Sequence, residues 1–264
     1  MSATTNVTVT DDQRRLLDER GFFITDVLFD EATLAGVRAE FTRLWQANID
    51  ATADKDERTH YLAKSRPFLC RLDHQSDVCD AFCRHPVFIE LCRQLIGPDA
   101  DMTWNQAILK PPGYPDNDFA WHQDNWYAEK GDYAKDTNLE MLRTNETGFT
   151  CWVAISRTTV ENGTLWVLPE HHKQGLLPHV WSDERREWQG QYDTSSKLPA
   201  VMDAGQVLIF RRYTPHASGA NVSDETRMAY QIGYCKPGLK LKPSVDLAPL
   251  LRDDKPLKRG ERSL

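Results

Sequence analysis

The chain lacks any apolar run approaching the ~20 residues that a membrane span needs. Its opening stretch, MSATTNVTVTDDQRR, lacks the basic-then-apolar order of a secretory leader. These absences lead us to expect a soluble, cytoplasmic protein. An excess of positive charge is also missing: 32 Lys and Arg against 39 Asp and Glu leave a net charge of −7, which repels a phosphate backbone. The one basic cluster, in RDDKPLKRGERSL, is interleaved with acids. Neither nucleic acid nor membrane is therefore expected as a partner, and the oligomeric state is not legible. The six cysteines contain no C-x-x-C pair and no zinc-finger spacing, and they read as free, mostly buried thiols. Without a leader, the sequons at Asn6, Asn145, Asn162 and Asn221 carry no glycan. The zinc-hydrolase signature HExxH is absent as well.

What is present is ordinary globular material: 264 residues, 40% hydrophobic and 27% charged, enough for a single domain spanning 1–264. From about 11 to 97 the pattern is helical. TDDQRRLLDERG opens on cap-type residues and closes on glycine, and FDEATLAGVRAEFTRLWQANI repeats apolar residues at three and four. Pro86 divides two further helices and Gly97 ends the second. From about 101 to 238 the texture changes to short runs rich in β-branched and aromatic residues: MTWNQAILK, TGFTCWVAI, GTLWVLP, GQVLIFR and RMAYQIGYC. Strands in that number without long helices between them predict an antiparallel sandwich or barrel, with the helices packed outside it. Residues 239–264 read as a tail. Two long connections, about 125–146 and 172–200, are rich in Trp and Tyr and read as ordered binding loops.

The stretch FAWHQDNWY carries the chemistry. If it is a strand, His122 and Asp124 project from one face while Gln123 points away, giving an imidazole nitrogen and a carboxylate oxygen for a divalent metal. His216, just past an apolar strand in GQVLIFRRYTPHASGAN, is the best third ligand. Two histidines and one carboxylate leave coordination positions open on non-haem Fe(II), which suits a chelating cosubstrate followed by O2. Arg227, at the head of RMAYQIGYC, offers a guanidinium that clamps a carboxylate in two places. Two other readings stay open on these residues: a cupin-like metal-binding or sensing protein without oxygenation, and a zinc-dependent hydrolase.

The ordered set LKPPG (109–113), WHQD (121–124), ENGTLWVLPEHHKQGLLPH (161–179) and HASGANVSDETR (216–227) resembles the phytanoyl-CoA dioxygenase family of Fe(II)- and 2-oxoglutarate-dependent oxygenases, over about 21–238. The resemblance implies a double-stranded β-helix, the cupin-like jelly roll, so the expected class is mainly β with flanking helices (α+β). It implies that His122, Asp124 and His216 bind iron, that Arg227 and Ser218 hold the far carboxylate of 2-oxoglutarate, and that Trp152 and Gln106 flank this cosubstrate. It implies a reaction that consumes O2 and 2-oxoglutarate, releases succinate and CO2, and hydroxylates a C–H bond of a small molecule. Asp124 is intact, which argues against halogenation. One departure stands out: Glu170 and His171 occupy positions where the family commonly has glycine and serine. The aromatics just past Asp124, Trp126 and Tyr127, are expected to wall the substrate. The acidic chain shows no basic patch for a CoA phosphate, which points to a free small molecule of the kind made in secondary metabolism.

Overall fold

The computed structural model describes residues 7–126, 148–185, 187–239 and 248–261. Five helices occupy the N-terminal part: α1 (Asp11–Glu19), α2 (Glu31–Ala51), α3 (Glu57–Ser65), α4 (Asp77–Cys83) and α5 (Pro86–Leu95). Each begins where a side chain can accept from an otherwise unpaired helical N–H. Thr10 and Gln13 form a capping box on α1. Asp30, Asp56 and Ser76 cap the next three. His85 caps α5, with Pro86 in its first turn.

The strands are β1 (Phe22–Ile24), β2 (Phe68–Cys70), β3 (Ala100–Lys110), β4 (Phe119–His122), β5 (Gly148–Ala154), β6 (Leu165–Val167), β7 (His179–Ser182), β8 (Glu187–Gly190), β9 (Leu198–Pro199), β10 (Val207–Phe210), β11 (His216–Ser218), β12 (Arg227–Cys235), β13 (Ala248–Arg252) and β14 (Lys255–Pro256). The major sheet runs β1-β10-β5-β12-β3-β13-β14, with β2 also on β3, and the minor sheet runs β4-β11-β6-β9. All the pairings are antiparallel. The mainly β, jelly-roll class expected from the sequence is what the chain adopts.

Three details differ from the sequence reading. The stretch expected as a tail supplies β13, which pairs with the start of β3 through Ala248 and Met102. The region read as purely helical contributes β1 and β2 to the same sheet, the first beside β10 and the second beside β3. The connection read as a long loop at 172–200 contains a hairpin, β7–β8, with Trp181 opposite Trp188. The other long connection lies almost wholly outside the described residues.

Period-two alternation sorts the major sheet into two faces. Cys151 and Val153 of β5, Tyr230, Ile232 and Tyr234 of β12, and Val207 and Ile209 of β10 point outward and join Leu34, Phe41, Phe82 and Phe88 of the helices in one apolar cluster. Trp152, Ala154, Ala229, Leu208 and Phe210 point inward and meet Leu165 and Val167 of the minor sheet in a second. Each Val, Leu, Ile or Phe among them contributes roughly 1.5–3 kcal/mol on burial. Because both faces of these strands are covered, the sequence shows continuous apolar runs rather than clean alternation.

Candidate active site

The site forms on the inner face, where the minor sheet looks across at β3, β5 and β12. The register of β4 against β11 sets His122 directly opposite His216. Their ring centroids stand 4.2 Å apart. The strand ends at His122, and residues 124–126 are helical, so Asp124 arrives from a turn and not, as the i, i+2 argument held, from the strand itself. Gln123 sets that turn. Fully buried, it donates to the carbonyls of Gly175 (2.9 Å) and Tyr213 (2.6 Å) and accepts from the Leu177 N–H (2.8 Å). The chain is thereby pinned between the two candidate ligands.

Hydrogen bonds choose the atoms that face inward. His122 Nδ1 bonds the Ala120 carbonyl at 2.8 Å and His216 Nδ1 bonds the Thr214 carbonyl at 3.0 Å. A carbonyl only accepts, so each Nδ1 carries a proton and each Nε2 is the ring nitrogen left to face a metal. Burial, and then the neighbouring His216, push His122 down to about 4, which keeps the imidazole neutral. Asp124 Oδ2 accepts from Gln231 Nε2 at 3.1 Å and lies 3.5 Å from the Thr150 hydroxyl. Oδ1 is left facing His216 Nε2 at 3.6 Å and His122 Nε2 at 4.0 Å. Donor atoms of the three side chains all lie within 4.8 Å of one another, as a single divalent ion requires.

Arg227, at the head of β12, is 1% exposed, and burial lowers its pKa to about 9. Nη1 donates to the Ile108 carbonyl at 3.0 Å, but buried Nε and Nη2 have no hydrogen-bond partner among the described residues. The guanidinium carbon lies 5.2 Å from the ring centre of Trp152, whose buried indole N–H is likewise without a partner. An uncompensated buried cation costs several kcal/mol, so a site built this way fits an acceptor-rich anion. Lys110, the other buried cation nearby, is already committed: Nζ donates to the carbonyls of Gly219 and Ser218, and burial followed by Arg227 holds its pKa well below the usual range.

Most of the residues singled out in the sequence line one cavity of about 780 Å³: His122, Asp124, His216, Ser218, Arg227, Trp152 and Gln106. Gln106 has a role that the family resemblance did not imply. It donates to Gln231 Oε1 at 3.1 Å, and so extends the chain of hydrogen bonds that ends on Asp124. Trp126 is not among the lining residues; it stacks on His179 (centroids 4.2 Å) and leans on Trp188 (5.3 Å), which does line the cavity. Tyr127 lies outside the described residues. Gln231 and Thr150 escaped the sequence reading. The available signal was a polar side chain at the inward positions of otherwise apolar strands, four residues after Arg227 in the case of Gln231.

The remaining histidines have structural partners. His171 Nδ1 bonds the Pro169 carbonyl, and His172 Nε2 bonds the Asp18 carbonyl while packing under Gly21, where a Cβ would sit 2.5 Å from Nδ1. His179 Nε2 meets the Tyr192 hydroxyl at 2.7 Å. Glu170, where the family commonly has glycine, keeps a left-handed backbone at φ 69°, the conformation that favours glycine.

The model for phytanoyl-CoA dioxygenase (PhyH) matches residues 17–229. The chain belongs to the phytanoyl-CoA dioxygenase family. It is 25% identical over 254 residues to a probable phytanoyl-CoA dioxygenase of Caenorhabditis elegans, covering 86% of this chain and 76% of that protein. It is 27% identical over 239 residues to the methylphosphonate hydroxylase of Gimesia maris, covering 87% and 82%. The fold matches the epimerase SnoN, solved in complex with Fe3+, alpha ketoglutarate and a nogalamycin compound, at a TM-score of 0.67 and 19% identity, covering 95% of this chain and 96% of that one. As a member of the family, the chain is an Fe(II)- and 2-oxoglutarate-dependent dioxygenase that acts on a small-molecule substrate. Among the described residues no helix is long and apolar enough to cross a membrane.

Proposed function

We propose that His122, Asp124 and His216 hold the iron and that Arg227 and Ser218 receive the far carboxylate of 2-oxoglutarate, in a dioxygenase that hydroxylates a C–H bond of a free small molecule. When bound, Fe(II), 2-oxoglutarate and O2 supply the oxidation of that bond, with 2-oxoglutarate lost as succinate and CO2. The protein's part is placement. The carbonyls of Ala120 and Thr214 hold both rings by Nδ1 and keep both Nε2 atoms aimed inward. Gln231 and Thr150 occupy Asp124 Oδ2, so that Oδ1 serves the metal. Arg227, lying over Trp152 and fixed through Nη1, keeps its remaining donors for a carboxylate. The observation that carries this reading is the pairing of the three converging donor atoms with a buried guanidinium whose Nε and Nη2 have no partner among the described residues.

The whole chain acts as one catalytic domain, with β1 and β13 tying both ends of the sequence into the catalytic sheet. A cytoplasmic location is part of the same proposal. Secondary metabolism is the setting we favour, because the fold neighbour SnoN is named with nogalamycin. A metal-sensing protein is disfavoured, since a sensor has no use for an open guanidinium beside the ion. A zinc hydrolase is disfavoured on the same ground.

The test is aerobic incubation with Fe(II) and 2-oxoglutarate, without added substrate, followed by quantification of succinate. Slow, Fe(II)-dependent succinate formation is expected. Zinc-dependent ester or amide hydrolysis with no succinate would overturn the proposal.

A further inference from the structure

We infer that the outer part of the cavity takes a neutral, ring-bearing organic molecule held by its flat faces, and that neither a CoA thioester nor a phosphonate is its natural occupant. The inference rests on the dioxygenase reading above and specifies its substrate. A cavity of about 780 Å³ falls in the upper part of the about 300–1,000 Å³ range of pockets that bury a drug-sized ligand. Space therefore remains beside a cosubstrate as small as 2-oxoglutarate.

Besides Trp152 at Arg227, four aromatic side chains line the cavity: Phe68, Trp104, Phe119 and Trp188. The register of β2 on β3 places Phe68 opposite Ile108 and Cys70 opposite Gln106, so both belong to the inward face that carries the site. Phe68 remains 46% exposed although it lines a cavity, and its ring centre is 5.8 Å from that of Phe119. Phe119 lies three residues before His122 on the same strand. Trp188 is backed by Trp181 at 5.7 Å and Trp126 at 5.3 Å, which fix its plane. Large rings held open around a cavity gain most from a partner that offers a ring of its own.

The charges on this wall are already spent on one another. Arg66 donates to the Asp118 carbonyl at 3.0 Å, pairs with Glu187 at 3.4 Å and lies 4.7 Å from the Phe119 ring centre. Glu187 also takes Arg185. Arg71 is held by both oxygens of Asp73 at 3.2 Å. Among the described residues of the outer wall no cation is left for a phosphate, whereas Asn48, Thr52 and Thr59 offer a neutral polar edge. A multiply charged ligand would be desolvated there without compensation.

The chain carries its own reporter. Cys70 lines the cavity and is the one exposed thiol of six, the other five being buried. Alkylation by N-ethylmaleimide at mildly alkaline pH, mapped by mass spectrometry, reads occupancy without relying on turnover. Naringenin and 1-hydroxyanthraquinone should slow labelling of Cys70 saturably, and octanoyl-CoA and methylphosphonate should not. Phe68→Ala should raise the half-protecting concentration by about tenfold. Protection by octanoyl-CoA or methylphosphonate, no protection by either ring compound, or protection indifferent to Phe68→Ala would overturn the inference. Anaerobic Fe(II) and 2-oxoglutarate in a parallel sample separate the two claims. A visible charge-transfer band without protection sinks the substrate class alone, and protection without a band sinks the dioxygenase reading alone.

Discussion

On the helix-facing side of the major sheet, the buried hydroxyls of Tyr230 and Tyr234 are satisfied within the protein. Tyr230 donates to Asn105 at 2.9 Å and accepts from the Cys83 thiol, while Tyr234 donates to the Cys83 carbonyl at 2.7 Å. One residue along the same strands the side chains point the other way, and there Arg227 and Trp152 keep buried donors without partners among the described residues. A closed network stabilises, and an open one costs free energy until a ligand completes it. The contrast teaches that one strand can serve both ends: β12 contributes Tyr230 and Tyr234 to the core, and Arg227 and Gln231 to the site.

Substitutions should separate the two faces. The largest effect is expected from His216→Ala, which should cut succinate formation by about 10³-fold or more and abolish tight Fe(II) binding by calorimetry, while circular dichroism stays native. Phe88→Ala, on the outer side, should do the opposite. It empties a fully buried ring from the helix-facing cluster and should cost about 3–5 kcal/mol in urea unfolding, with the 2-oxoglutarate KM of the folded fraction unchanged. Arg227→Leu removes a charged clamp of about 1.5–3 kcal/mol, so the 2-oxoglutarate KM should rise by about 10–100-fold. Its ligand-free melting temperature should hold or increase, since an unpaired buried cation is removed. A melting temperature that falls would show that Arg227 is structural and would erase the contrast between the faces. The smallest effect belongs to Gln231→Leu, which frees Asp124 Oδ2 and should weaken Fe(II) binding by about 10-fold while leaving stability near that of the wild type.

Much of this was legible from the residues. Long strands buried on both faces, such as β3, β5 and β12, announce themselves as apolar runs, and helix starts are marked by Thr10, Asp30 and Ser76. The two histidines, Asp124 and Arg227 could be found because the H-x-D spacing, a histidine just past one apolar strand and an arginine heading another fall within motifs that carry the family resemblance. Three-residue strands could not. β1 is too short to show a period, and its partner β10 lies more than 180 residues away. β13 passed for a tail because RDDKPLKRGERSL outweighs the APLL that pairs with β3. Asp124 was assigned to a strand because i, i+2 spacing says nothing of the turn that Gln123 imposes through three hydrogen bonds. The aromatic wall was expected past Asp124 and formed instead from Phe68, Trp104, Phe119 and Trp188, which come from four different strands. Only the sheet register brings such residues together.

The central claim is that the inner face holds iron through His122, Asp124 and His216 and 2-oxoglutarate through Arg227. Its most direct test is an anaerobic spectrophotometric titration of 2-oxoglutarate into the Fe(II)-loaded protein. A weak visible charge-transfer band that saturates at one equivalent of iron, disappears in Asp124→Ala and needs more 2-oxoglutarate in Arg227→Leu is the predicted result. A wild-type protein that binds Fe(II) and 2-oxoglutarate without the band, or an Asp124→Ala variant that keeps it unchanged, would contradict the account.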